Sequence, residues 1–132
     1  MINIDINKRT QVVCFDVDDT LVIWGMADDP NAIEFENVCK NSEGNVFCSI
    51  TEHLVPHKKH IEQIKKHHEA KNLVIVWSGG GAEWAEEVVT KLGLKEYVDL
   101  CLSKPVAIYD NEPISNWMPS PIWMEVKEEE NE

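Results

Sequence analysis

The sequence lacks any run of about 18 apolar residues, the length that a membrane-spanning helix needs. Its first residues, "MINIDINKRT", also lack the apolar stretch of a signal peptide, and no repeat of solenoid period is present. These absences predict a cytoplasmic protein with no membrane partner. A chain of 132 residues is typical of a single domain, which we expect over residues 1–126, followed by an acidic tail over 127–132.

Positive charge is scarce, since 12 Lys and Arg residues stand against 24 Asp and Glu residues, for a net charge of −12. Such a surface repels nucleic-acid backbones, so we do not expect nucleic acid as the main partner. A local basic patch remains an alternative at Lys58, Lys59, Lys65 and Lys66. The simpler interpretation of these lysines is a solvated helix face.

The four cysteines form no C-x-x-C pair. Cys14 and Cys101 lie in apolar runs and are expected to be buried as small hydrophobic side chains. Cys39 and Cys48 flank a turn and are expected to face each other across a hairpin, as free thiols in a reducing compartment.

The histidines cluster without a known zinc-ligand spacing. We therefore expect a solvated polar helix face for His57, His60, His67 and His68, and a position in or near the core for Trp77 and Trp84.

Strand and helix patterns alternate along the chain. Apolar runs predict buried strands at 11–17, 73–78, 97–104 and 106–110, helices at 57–71 and 82–94, and a β-hairpin at 32–55. This order predicts an α/β fold, specifically a Rossmann-like three-layer sandwich. Its sheet would be mostly parallel, and a β-hairpin flap (about residues 25–55) would follow the first strand.

Polar residues end the predicted strands: Asp16 and Asp18, Ser78, Lys104 and Asp110. Ligands bind beyond the carboxyl ends of strands in such sheets, so we expect these side chains to form one site. Asp16 and Asp110 would share Mg²⁺, which relieves the repulsion between their carboxylates. Lys104, Ser78 and the glycines after Ser78 would hold a phosphate group, with Asp16 placed to attack phosphorus and Asp18 to move a proton.

These segments resemble the motifs of the haloacid dehalogenase-like superfamily. "DVDDTL" is similar to motif I, Ser78 in "LVIVWS" to motif II, Lys104 in "CLSKP" to motif III, and Asp110 in "VAIYDN" to motif IV. The four occur in the family's order over residues 11–112. The resemblance implies a Rossmann-like fold, a Mg²⁺ cofactor and phosphotransfer through an aspartyl-phosphate.

The resemblance also implies a role for each matching residue. Asp16 would be the nucleophile, and Asp18 would be the acid and base, with its backbone carbonyl touching the metal. Thr20 would support the motif I loop, and Asp110 and Asn111 would be further metal ligands. The phosphoryl group would be bound by Ser78, Gly79, Gly80 and Lys104. Asn111 departs from the family pattern, in which a second acidic residue is usual. Because an amide brings no charge, we expect a higher Mg²⁺ requirement.

The resulting prediction is a small phosphatase acting on phosphate monoesters, with nucleotides, nucleic-acid ends or sugar phosphates as candidate substrates. Two alternatives stay open: a phosphotransferase that excludes water, and a binding module that keeps the fold without turnover. The flap is too short for a full cap, so a covering homodimer is conceivable. Trp24, Phe35 and Phe47 near the flap would either pack against the body or stack on a base.

Overall fold

The computed structural model describes residues 11–118 and 120–125, and the predicted tail 127–132 lies outside them. The elements in chain order are β1 (Val12–Asp16), β2 (Val22–Trp24), β3 (Ile33–Lys40), β4 (Val46–Pro56), α1 (Lys58–Glu69), β5 (Leu73–Ser78), α2 (Ala82–Lys91), β6 (Leu100–Ser103) and a 3₁₀ turn (Ile114–Asn116). The α/β class is confirmed. No helix in this part of the chain is long and apolar enough to cross a membrane.

A parallel sheet of three strands, in the order β1-β5-β6, forms the centre of the molecule. The β-rich runs "VVCFD" and "LVIVWS" supply its two longer strands. Val12 pairs with Leu73 at the start of β1 and Asp16 with Trp77 at its end, while Ser78 pairs with Ser103. This register brings the carboxyl ends of all three strands to one edge.

One face of this sheet is covered by both helices. Phe15, Val74 and Val76 point to this face and belong to the buried core, with Val74 and Val76 fully buried. From α1 they meet Ile64, and from α2 they meet Val88, both also fully buried. This single apolar cluster supplies most of the burial that stabilises the fold.

The opposite face of the sheet is largely open, so the prediction of a buried strand at 11–17 is wrong for this face of β1. Val12 is 57% exposed, Leu100 38% and Leu102 39%, and Cys14 is exposed rather than buried. Both crossovers, from β1 to β5 and from β5 to β6, step in the same direction across the sheet. Because parallel crossovers are right-handed, both helices fall on the same face. The described residues therefore form two layers, the sheet and the helices on one of its faces. The third layer of the predicted sandwich is not observed among them.

The predicted strand over residues 106–110 is absent, and this segment is an exposed loop. Val106 and Tyr109 are fully exposed and Ile108 is 52% exposed. Pro105 directly precedes the segment and has no backbone N–H to donate. Among residues 11–118 and 120–125, the order of the sheet is β1-β5-β6, and no further strand pairs with the edge of β1 or of β6.

The predicted hairpin is confirmed as β3 and β4, to which β2 adds in a second, antiparallel sheet. Its turn is closed by Asn41, whose Oδ1 accepts the N–H groups of Glu43 (3.0 Å) and Asn45 (2.9 Å), as Asn commonly does in turns. Cys39 and Cys48 lie directly opposite each other with Cα atoms 4.9 Å apart, so the prediction that they face each other across the hairpin is confirmed. The register brings the two Cα atoms within disulfide reach, and the free thiols expected in a reducing compartment stay a prediction.

Candidate active site

Asp16 and Lys104 meet at the carboxyl edge of the parallel sheet. Asp16 ends β1 and Lys104 follows β6, yet Nζ of Lys104 lies 3.8 Å from Oδ1 of Asp16. Lys104 is held by its backbone N–H, which donates to the carbonyl of Ser78 at the end of β5 (2.9 Å). The side chains are 49% and 33% exposed, so this ion pair adds little stability. The sequence prediction that these two groups converge is met.

The turn after β1 has a tightly bonded backbone. The carbonyl of Val17 accepts the N–H groups of Thr20 (3.2 Å) and Leu21 (2.9 Å), while Asp19 has a positive φ of 64°. Val17 and Leu21 are fully buried, and their apolar side chains anchor the turn in the core. Thr20 Oγ1 donates to Oδ2 of Asp16 at 3.5 Å, which fits its expected role as a support for this loop.

Asp18 lies beside Asp16 and contacts a residue that the sequence analysis assigned only to the core. Nε1–H of Trp84 donates to Oδ2 of Asp18 at 3.3 Å. Partial desolvation is the main cause that raises the pKa of Asp18 above its usual 3.8; the Trp84 bond opposes the rise, and the charges of Asp16, Glu52 and Asp19 add to it. A carboxyl group with a raised pKa suits proton transfer at neutral pH.

The glycine loop after β5 leads directly into α2. Ser78 is fully buried, and its Oγ accepts the N–H of Gly80 at 2.9 Å while its carbonyl accepts that of Gly81 at 3.1 Å. A Cβ added at Gly79 would meet nothing within 4 Å, so the backbone there is open to an approaching ligand. Ser78 thus fixes the conformation of this loop through two hydrogen bonds, and its contact with a phosphoryl group stays a prediction.

Asp110 and Asn111 lie in the exposed loop after β6. Oδ1 of Asp110 accepts the N–H of Glu112 at 3.2 Å, which is a local turn contact. Within residues 11–118 and 120–125, no three Asp, Glu, His or Cys side chains are arranged to hold a metal ion. The structure therefore brings Asp16, Asp18, Thr20 and Lys104 together but leaves the predicted metal ligands of the fourth motif outside this group.

The flap aromatics have different environments. Phe35 is fully buried and packs edge-on against Trp84, with ring centroids 5.3 Å apart, so the packing interpretation holds for Phe35. Trp24 is 71% exposed and Phe47 is 70% exposed, so packing against the body does not explain them. Glu52, also on the flap, is close enough to Asp18 to raise its pKa. The base of the flap therefore borders the site.

His57 and His60 are buried, 1% and 4% exposed, so the predicted solvated face is wrong for both. Their rings stack with centroids 4.1 Å apart. His60 Nδ1 lies 2.7 Å from the carbonyl oxygen of Thr20, and its Nε2 accepts the N–H of Met124 at 3.1 Å. His57 Nε2 lies 2.7 Å from the carbonyl oxygen of Met124. The pair thus ties the turn after β1 to the end of the described chain. The feature of the sequence that distinguishes these two histidines from the others is their position at the start of the predicted helix.

A groove of about 630 Å³ runs between α2 and β6 and shares no residue with this site. Its charged lining residues include Glu83, Glu86, Glu87, Lys91 and Lys95. The carboxyl edge of the sheet is the stronger candidate for an active site, because Asp and Lys side chains converge there.

Comparison with protein-family models, with curated proteins and with solved structures finds no match for this chain. We therefore infer a function from the geometry of the site and from the residues of its four motifs.

Proposed function

We propose that this protein is a Mg²⁺-dependent phosphatase of the cytoplasm that hydrolyses small phosphate monoesters, with nucleotides and nucleic-acid ends among the candidates. The proposal is supported chiefly by the meeting of Asp16 and Lys104, whose Oδ1 and Nζ lie 3.8 Å apart although 87 residues separate them in the chain. A carboxylate nucleophile beside an ammonium group that attracts phosphoryl oxygens is a suitable arrangement for covalent phosphoryl transfer.

The first step forms a bond between a carboxylate oxygen of Asp16 and phosphorus and breaks the bond between phosphorus and the ester oxygen. Lys104 lies beside Asp16, where its charge offsets that of the transferring group. Asp18, whose pKa is raised, supplies the proton that the leaving oxygen takes. The products are the aspartyl-phosphate and the free alcohol.

The second step breaks the aspartyl-phosphate with water. Asp18, now a carboxylate, takes one proton from the water while the water oxygen bonds to phosphorus and the bond to the Asp16 oxygen breaks. The site at the sheet edge is open enough to admit that water, since Asp18 and Gly79 are both exposed. This openness favours hydrolysis over a phosphotransferase, which has to exclude water.

Asp16 and Asp18 fit one half of a Mg²⁺ site, because the charge of Asp16 helps to raise the pKa of Asp18 and a bound cation would relieve that repulsion. When bound, the ion would supply charge to the phosphoryl oxygens. Asp110 and Asn111 would complete the ligand set only if their loop approached β1. We expect Asn111→Asp to lower the Mg²⁺ concentration for half-maximal rate, and an unchanged value would remove Asn111 from the ligand set.

The test is hydrolysis of an aryl phosphate with and without Mg²⁺ by the native chain and by Asp16→Asn. Removing the nucleophile should lower kcat roughly a thousandfold or more. Asp28→Asn, an equivalent change at an exposed loop position, serves as the matched control and should keep the native rate. Trapping of a phosphoryl group on the native chain that hydroxylamine releases, and its absence in Asp16→Asn, would identify the intermediate.

A binding module without turnover is the second candidate, and the exposed position of Asp110 favours it. Such a protein would bind phosphate esters at the same edge but would release no phosphate from any member of a broad ester panel. Release that needs Mg²⁺ and disappears in Asp16→Asn would exclude this candidate.

A further inference from the structure

Trp84 lies where three parts of the molecule meet. It is the third residue of α2; it contacts the carboxylate of Asp18 and the ring of Phe35 on the flap, and its indole lies beside Gly80 of the glycine loop. We propose that Trp84 is a positioning residue that couples the flap hairpin to Asp18. This inference rests on the proposed function, because it assigns Asp18 the proton transfer of that reaction.

The first part of the coupling is the hydrogen bond from Nε1 of Trp84 to Oδ2 of Asp18, 3.3 Å long. An indole is a hydrogen-bond donor only and carries no charge, so it neither accepts the proton nor neutralises the carboxylate. Its effect is directional. One oxygen of Asp18 is bound to the helix, and the carboxylate plane is thereby oriented for proton exchange with the substrate.

The second part is the contact between Trp84 and the flap. Phe35 is fully buried on β3 and meets the indole edge-on, with an angle of 68° between the rings. Lys91 of α2 also contacts the flap: its Nζ lies 4.8 Å from the centroid of the Phe35 ring and donates to the carbonyl of Glu34. The flap base, α2 and the indole are therefore one packed unit, and a shift of β3 moves the donor of Asp18.

The third part is the room left for the indole by Gly80. A Cβ at this position would lie 3.3 Å from Cδ1 of Trp84 and 3.3 Å from Oγ of Ser78. A side chain there would press on the indole and on the loop together. Glycine at position 80 thus lets the indole lie against the loop that we expect to hold the phosphoryl group.

The alternative is that Trp84 serves only as a core residue. Its loss would then slow all substrates by one common factor. A positioning residue for a proton donor behaves differently, because an ester with a good leaving group does not need the proton. The leaving group of the substrate therefore separates the two roles.

The experiment compares Trp84→Phe with the native chain on phenyl phosphate and on 2,4-dinitrophenyl phosphate, with Mg²⁺ present. The variant keeps an aromatic ring against Phe35 but removes the N–H donor. We expect kcat/KM for phenyl phosphate to fall about tenfold, since general acid catalysis contributes about 10²- to 10⁴-fold and one orienting bond is part of it. This ratio reports only the steps up to the aspartyl-phosphate, so the later step in which Asp18 acts as a base does not enter it. The same ratio for dinitrophenyl phosphate should change less than about twofold.

Trp117→Phe is the matched control, because Trp117 is 47% exposed in the loop after β6. It should leave both rates unchanged. An equal fall on both esters in Trp84→Phe, or no fall on either, would overturn the positioning role. Phe35→Leu keeps the indole but weakens its support, and should show the same selective loss to a smaller extent.

A second measurement needs no turnover. The indole N–H resonance of Trp84, assigned by its absence in Trp84→Phe, should shift in Asp18→Asn and also in Phe35→Leu. If Asp18→Asn leaves it in place, the coupling is wrong even where the enzyme is active. If the native chain hydrolyses no ester but this resonance responds to both changes, the proposed function fails while the coupling between flap and Asp18 stands.

Discussion

The two faces of the parallel sheet are built from the same strands and similar residues, yet they have opposite environments. Val76 on the face toward the helices is fully buried, whereas Val12 on the other face is 57% exposed. Both side chains are β-branched and apolar, so their chemistry does not explain the difference. The handedness of two successive crossovers does, because it places α1 and α2 on the same side.

The largest difference between the two faces is expected when the same Val→Ala change is made on each of them. Val76→Ala should lower the free energy of unfolding by about 2 kcal/mol, since it removes a fully buried side chain and leaves a cavity. Val12→Ala should cost less than about 0.5 kcal/mol, as is usual for surface changes. Urea unfolding measures both values. Equal losses would mean that the second face is covered in solution.

A difference of intermediate size is expected between the rates at which the two thiols on opposite faces react with a maleimide. Partial desolvation raises the pKa of both Cys14 and Cys101, and the charge of Glu86 on α2 raises that of Cys101 further. Because only the thiolate reacts, both should react with a maleimide more slowly than a free peptide thiol near pH 8, and faster as pH rises.

Cys14 is exposed and Cys101 only partly so, and we therefore expect Cys14 to react several-fold faster. Serine variants at each position identify the two phases in the reaction. A faster phase that disappears in Cys101→Ser rather than in Cys14→Ser would reverse the assignment of the faces.

The smallest effect is expected on the open face. Leu102 is 39% exposed there, and Leu102→Lys should change the free energy of unfolding by about 0.5 kcal/mol or less. Sedimentation should give the same mass for the native and variant chains if this face meets only solvent. A native dimer that the lysine dissociates would show that a second copy covers the face.

Much of the fold could be predicted from local pattern. The runs that became β1, β5 and β6, the hairpin of β3 and β4, and both helices follow from apolar periodicity and from turn residues such as Asn41 and Gly93. The strand over 106–110 was predicted by the same rule and is absent. A short apolar run becomes a strand only when a neighbouring edge pairs with it, and pattern alone does not contain that information.

The site shows the same division. Asp16 and Lys104 were predicted to meet because parallel strands end at one edge, and they do. The sequence predicts a position in or near the core for Trp84 but not its hydrogen bond to Asp18, because that bond joins positions 66 residues apart. His57 and His60 were assigned to solvent, because the carbonyls and the N–H that satisfy their rings come from residues 20 and 124.

The sequence by itself determined which segments become strands and helices and which charged residues end them, since both depend on neighbours a few positions away. Only the tertiary structure decided which face of the sheet is covered, which histidines are buried and that an indole donates to Asp18. These outcomes depend on crossover handedness and on contacts between distant segments, and the free energy of such contacts exists only after the chain has folded.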